Sequence, residues 1–187
     1  AIFYSISNCQ SGLAGVRLGD FLIKRVVTEL SQEQHGLNNF ATLSPIPGFR
    51  RWLEAAIQQP ASLHLNDSET TAIEAALENP DWGLEANTVQ QLQITLPQLC
   101  AHYLLSEKRG QRALDPVANF HLSNGARVER IVFGANKQDT AQERALGMMV
   151  NYRYEISKIE DRHDAYAHEG VIDAHDNVKA LLVSRTV

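Results

Sequence analysis

The stretch that most constrains this chain is Asp115-Pro116-Val117-Ala118-Asn119-Phe120-His121-Leu122-Ser123-Asn124-Gly125-Ala126. It punctuates its own helix. Asp115 suits the cap, Pro116 the first helical position, and Asn124-Gly125 the exit. A helix of two turns is unstable alone, so the rest of the chain must supply a core that holds it. Inside it sits His121. A histidine fixed by packing is a candidate proton carrier, and a structural histidine satisfied by a hydrogen bond is the alternative.

The chain has 187 residues, 44% of them hydrophobic and 21% charged, enough for one domain with a real core. The formal net charge of -5 argues against a general nucleic-acid binder but leaves room for a local anion site. Two cysteines, Cys9 and Cys100, make neither a paired-cysteine metal motif nor a disulfide framework. Free thiols in a reducing compartment are the simpler reading. No apolar run is long enough to cross a membrane, so no membrane partner is expected. The abrupt opening on Ala1-Ile2-Phe3-Tyr4-Ser5-Ile6 reads as a buried strand at the start of a fragment. The expected compartment is cytoplasmic, with mitochondrial and peroxisomal locations left open.

Ala1 to Ser7 has strand character, and a glycine-bearing turn then leads into a helix from about Leu13 to Leu30. The apolar face of that helix is read as Val16, Leu22, Ile23, Val26, Val27 and Leu30, with Leu18 and Phe21 pointing the other way. A strand, a turn and a helix N-terminus make an anion site, and Arg17 adds charge there. Tight packing of the glycines against a sheet is the alternative. Leu37 to Leu43 is a second strand, ending at Ser44-Pro45-Ile46-Pro47-Gly48-Phe49. The two prolines stiffen the chain just after Ser44, which places its hydroxyl either toward a ligand or as a cap for the turn.

Asp67 reads as the N-cap of a helix over 68–78, and a further helix runs from about Thr88 with a kink or new first turn at Pro97. Glu107 to Arg112 reads as a charged, solvated loop. Ala126 to Gly134 is a strand with Val128, Arg130 and Val132 on one face and Glu129, Ile131 and Phe133 on the other. Ala135 to Arg144 is a polar loop, and Met148 to Tyr154 is the last strand. Glu155 to Gly170 is charged and reads as mobile, before a helix over 171–183. His64 and His102 read as structural or exposed. The spacing of His163, His168 and His175 matches no metal pattern.

Three stretches together resemble one family. They are Phe21-Leu22-Ile23-Lys24-Arg25-Val26-Val27, Leu43-Ser44-Pro45-Ile46-Pro47-Gly48-Phe49, and Pro116 to Ala126; Asn151-Tyr152-Arg153-Tyr154 fits as well. The family they resemble is malonyl-CoA decarboxylase. The likeness implies a fold of α+β or α/β class, a mixed sheet flanked by helices, similar to GCN5-type acetyltransferases. Residues 1–187 then form the later part of a catalytic domain, without the helical domain and first strands, and 155–187 form a variable tail and helix.

The resemblance also implies a reaction: malonyl-CoA to acetyl-CoA and carbon dioxide, with no metal and no organic cofactor. It puts the coenzyme A pyrophosphate on Gly12, Leu13, Ala14, Gly15, Val16, Arg17, Leu18, Gly19 and Asp20. The serine–histidine pair falls on Ser44 and His121, which also hold the acyl group, with Asn119 and Tyr154 as neighbours that orient it. Arg17 stands where some members have a glutamate, so an acid role at that position is not carried over. The expected partners are malonyl-CoA and acetyl-CoA, no nucleic acid, and further copies of the chain in a homo-oligomer. Three other readings stay open here: an acyl-CoA N-acyltransferase, a thioesterase using Ser44 as nucleophile, and a non-catalytic coenzyme A-binding module.

Overall fold

A computed structural model describes residues 1–3, 19–79, 81–135 and 144–183. A mixed sheet flanked by helices carries the site. Its strands are β1 (Ile2–Phe3), β2 (Phe40–Thr42), β3 (Ser44–Pro45), β6 (Arg127–Val132) and β7 (Met149–Tyr154). A separate hairpin pairs β4 (Lys108–Arg109) with β5 (Arg112–Ala113). The helices are α1 (Gly19–Glu33), α2 (Phe49–Ala56), α3 (Asp67–Glu78), α4 (Ala86–Leu105), α5 (Pro116–Ser123), α6 (Ile159–Asp164) and α7 (Asp176–Val183).

The run Met149-Val150-Asn151-Tyr152-Arg153-Tyr154 is rich in β-branched and aromatic residues, and it becomes the inner strand. β6 lies antiparallel on one side of β7. On the other side β2 pairs Phe40 with Tyr154, and β3 pairs Ser44 with Val150. β2 and β3 hold one antiparallel register against β7, so they are a single strand opened near Leu43. Pro45 is tolerated because the strand is short and peripheral. β1 adds to β2 in parallel at the edge.

The core forms where α4 packs against α3, α7 and β6. Leu92, Leu96, Leu99 and Leu104 of α4 are fully buried, and each such side chain stabilises by roughly 1.5–3 kcal/mol. Pro97 lies inside this one continuous helix and does not start a new one. The carbonyl that loses its partner belongs to exposed Gln93, which limits the cost.

Several local expectations are corrected. The cap of α3 is Asn66, not Asp67: Asn66 accepts from the Glu69 N–H at 2.9 Å and Glu69 answers on the Asn66 N–H at 3.1 Å, closing a capping box. The 107–112 loop is a two-residue hairpin, made possible by Gly110 at φ 65°. β6 carries a bulge between Val128 and Arg130, so its faces swap there. Val128 is fully buried while Arg130 is exposed.

On α1, Ile23 and Val27 are buried, but Leu22 is 59% exposed and does not belong to the inward face. In β1, Ile2 is 68% exposed at the sheet edge, not buried. The remainder of the first strand (4–7), the turn, the start of the first helix and the 136–143 loop lie outside the described residues.

Residues 156–169, expected as an irregular charged stretch, are helical. A 3-10 turn at Ile156–Lys158 leads into α6 and then a π turn at Ala165–Glu169. Ile159 and Tyr166 bury themselves beneath it. Arg162 bridges Glu155 and Asp173, 2.6 Å from the latter. The next helix starts at Asp176, later than expected, because 173–175 run beside β6: Asp173 O accepts from the Val128 N–H at 2.9 Å and His175 N–H donates to Val128 O at 2.8 Å.

Candidate active site

Ser44 and His121 are brought together. Ser44 enters β3 after Leu43, with Pro45 and Pro47 fixing the path that follows. His121 sits in the second turn of α5. Asp115 caps that helix by accepting from the N–H groups of Val117 and Ala118 at 2.9 and 3.0 Å, and Gly125 takes the exit at φ 76°. Ser44 Oγ lies 3.1 Å from His121 Nε2. Both residues are buried, at 5% and 2% exposure.

Tyr154 joins them, its Oη 2.8 Å from His121 Nδ1. Two residues earlier on the same face of β7, the Tyr152 ring stacks on the imidazole at 4.4 Å between centroids and 24° between planes. Phe120 closes on the ring edge at 5.1 Å. Along its own strand, the Ser44 hydroxyl donates to Thr42 Oγ1 at 2.9 Å, which also accepts across the sheet from the Tyr152 N–H at 3.2 Å. The Thr42 carbonyl accepts from Asn151 Nδ2 at 2.6 Å. Thr42 thus replaces part of the regular ladder with side-chain bonds. That opens β2 from β3 and aims Ser44 at α5.

Burial pushes the His121 imidazolium down to a pKa of about 3, so the ring is neutral at ordinary pH. Burial pushes the Tyr154 phenol up, so it keeps its proton. The neutral imidazole lies between a phenol at Nδ1 and a hydroxyl at Nε2, with one ring nitrogen a donor and the other an acceptor. The site is a neutral hydrogen-bonded run from Tyr154 through His121 and Ser44 to Thr42.

Of the other expected residues, Asn119 is held elsewhere. Its Oδ1 accepts from the Tyr166 hydroxyl at 2.8 Å, and that hydroxyl accepts from the Ala113 N–H. Standing two positions from His121, it faces another side of α5. Gly12 to Leu18 lie outside the described residues, and Gly19 and Asp20 open α1. Thr42 and Tyr152 were not singled out from the sequence. The available signal was the two-residue spacing, Thr42 with Ser44 and Tyr152 with Tyr154, which puts each pair on one face of a strand.

Two other histidines make contacts within the fold. His163 Nδ1 lies 2.6 Å from Ser123 O at the end of α5, and His102 stacks on Trp52 beside Glu107. Among the described residues, no three of His, Cys, Asp or Glu gather as a metal site. Cys100 is a buried free thiol. Among the described residues, no helix is long and apolar enough to cross a membrane.

The family model described as malonyl-CoA decarboxylase C-terminal domain matches residues 1–187. This chain belongs to that family. The match runs on through 155–187. The chain is 41% identical to mitochondrial malonyl-CoA decarboxylase of Mus musculus over 97% of its own length and 40% of that protein. Among solved structures, malonyl-CoA decarboxylase from Rhodopseudomonas palustris superposes with a TM-score of 0.88 at 44% identity, over 96% of this chain and 41% of that one. The Agrobacterium vitis enzyme gives 0.89 at 41% identity, over 97% and 44%. The chain therefore spans about two fifths of these relatives.

Proposed function

We propose that this protein decarboxylates malonyl-CoA to acetyl-CoA and carbon dioxide. The observation that carries the reading is the buried Ser44–His121–Tyr154 relay in a chain of this family. Ser44 and His121 hold the malonyl group by hydrogen bonds. The C–C bond to the carboxylate breaks, carbon dioxide leaves, and the electron pair becomes an enolate whose oxygen is stabilised by preorganised donors. A neutral imidazole is suited to that task, since it donates without bringing an uncompensated charge into the core.

His121 delivers the proton that completes acetyl-CoA, and a proton taken up from solvent restores the imidazole before the next turnover. These steps need no metal or organic cofactor. Coenzyme A is part of the substrate, and Gly12 to Asp20 take its pyrophosphate in this reading.

The thioesterase alternative needs Ser44 to give its proton to His121, and burial, which depresses the imidazolium, disfavours that step. The test is carbon dioxide release from malonyl-CoA by the protein, with Ser44→Ala and His121→Asn beside it. The expected result is a loss of about 10²–10⁴-fold in kcat for each variant with acetyl-CoA binding retained. Release of free coenzyme A without carbon dioxide would sink the decarboxylase reading.

A further inference from the structure

We propose that Asp115 is a positioning residue for the Ser44–His121 pair, its carboxylate tying the segment that carries the serine to the helix that carries the histidine. This rests on the function proposed above. Capping α5 needs one acceptor oxygen, and Oδ1 supplies it to Val117 and Ala118. Oδ2 is left for another task. It accepts from the Gly48 N–H at 3.2 Å and lies 3.5 Å from the Tyr103 hydroxyl. Asp115 is 1% exposed, and among the described residues no cation pairs with it. Burying a carboxylate is costly, and serine or threonine would cap the helix without that cost. What aspartate adds is the second acceptor.

That acceptor links the same two segments that the site links. Gly48 follows Ser44 by four positions, and Asp115 precedes His121 by six. The bonds Gly48 N–H to Asp115 and Ser44 to His121 therefore cross-brace one strand-to-helix turn against one helix. The chain between the braces is stiff: Pro45, Pro47 and Pro116 fix φ, and Ile46 and Phe49 are fully buried. Gly48 is pressed close, since a Cβ there would stand 2.2 Å from Tyr103 Oη and 3.4 Å from Asp115 Oδ2. A shift at Gly48 thus passes directly to the 3.1 Å bond between Ser44 and His121.

The test is Asp115→Asn in the complete protein. The asparagine keeps an oxygen for the cap and puts an NH2 where the Gly48 N–H needs an acceptor. The expected result is a fold in kcat of about 10–100 downward, with KM for malonyl-CoA little changed. In the Ser44→Ala background the same substitution should cost almost nothing further, because the alignment it protects is already gone. Nitrogen NMR of His121 should show one neutral tautomer in the parent and a shifted, mixed signal in Asp115→Asn.

An equal loss in both backgrounds, or an unchanged kcat and imidazole signal, overturns the proposal. If Asp115→Asn does not fold, Tyr103→Phe removes the hydroxyl from the same oxygen and carries the same comparison with a smaller effect. If the parent releases no carbon dioxide, the proposed reaction fails by itself, and the imidazole signal still decides the positioning.

Discussion

At the scale of the residue, His121 is set apart by its burial among the rings of Phe120, Tyr152 and Tyr154. Its folded pKa of about 3 lies below the ordinary histidine value, so the unfolded chain binds more protons than the folded one between those two pH values. Stability contributed by the neutral ring is complete above the unfolded pKa and is lost as pH falls toward the folded one. From pH 7 to pH 5 this one group should cost about 2 kcal/mol. Urea unfolding of the parent and of His121→Gln at both pH values checks it; the parent's loss should exceed the variant's by about that amount. An equal loss would show an imidazole that titrates normally. The sequence marked Ser44, His121 and Tyr154, yet left Thr42 and Tyr152 unnoticed. Their parts come from a cross-strand register that no local pattern states.

At the scale of the element, α5 shows how much punctuation alone can specify. The Asp115 cap, Pro116 at the first position and the Gly125 exit all stand as the sequence predicts. The close packing of the exit was not legible. A Cβ on Gly125 would lie 2.1 Å from the Ile159 carbonyl oxygen, a backbone atom of α6 that cannot swing aside. Gly125→Ala should therefore cost about 2–4 kcal/mol, from left-handed strain plus overpacking. Gly110→Ala meets open space at φ 65° and should cost about 1 kcal/mol. Denaturant midpoints of the two variants measure the difference, and similar values would mean that α6 does not press on α5 as described. The β6 bulge and the Asn66 box misled for a related reason: alternation and cap preferences are averages, and a single inserted residue or a reciprocal bond overrides them.

At the scale of the whole molecule, β7 organises the sheet. It is bonded to β6 on one side and to β2 and β3 on the other, while β1 and the β4–β5 hairpin sit at margins. Hydrogen exchange should follow that order. Amides of Met149–Tyr154 should open only with global unfolding, and those of Lys108–Ala113 should exchange at least about 100-fold faster. Protection of the hairpin equal to that of β7 would refute the ordering.

The sequence by itself determined the elements whose signals are local. These are the capped and terminated α5, the proline-stiffened segment after Ser44, the apolar inner strand, and the family to which their residues belong. Only the tertiary structure decided that Ser44 and His121 share one hydrogen bond, that Tyr154 and Thr42 extend it, and that the imidazole is neutral. The physical reason is that distance and dielectric are properties of packing. A residue type states which proton it can carry, and the burial around it decides whether that proton stays.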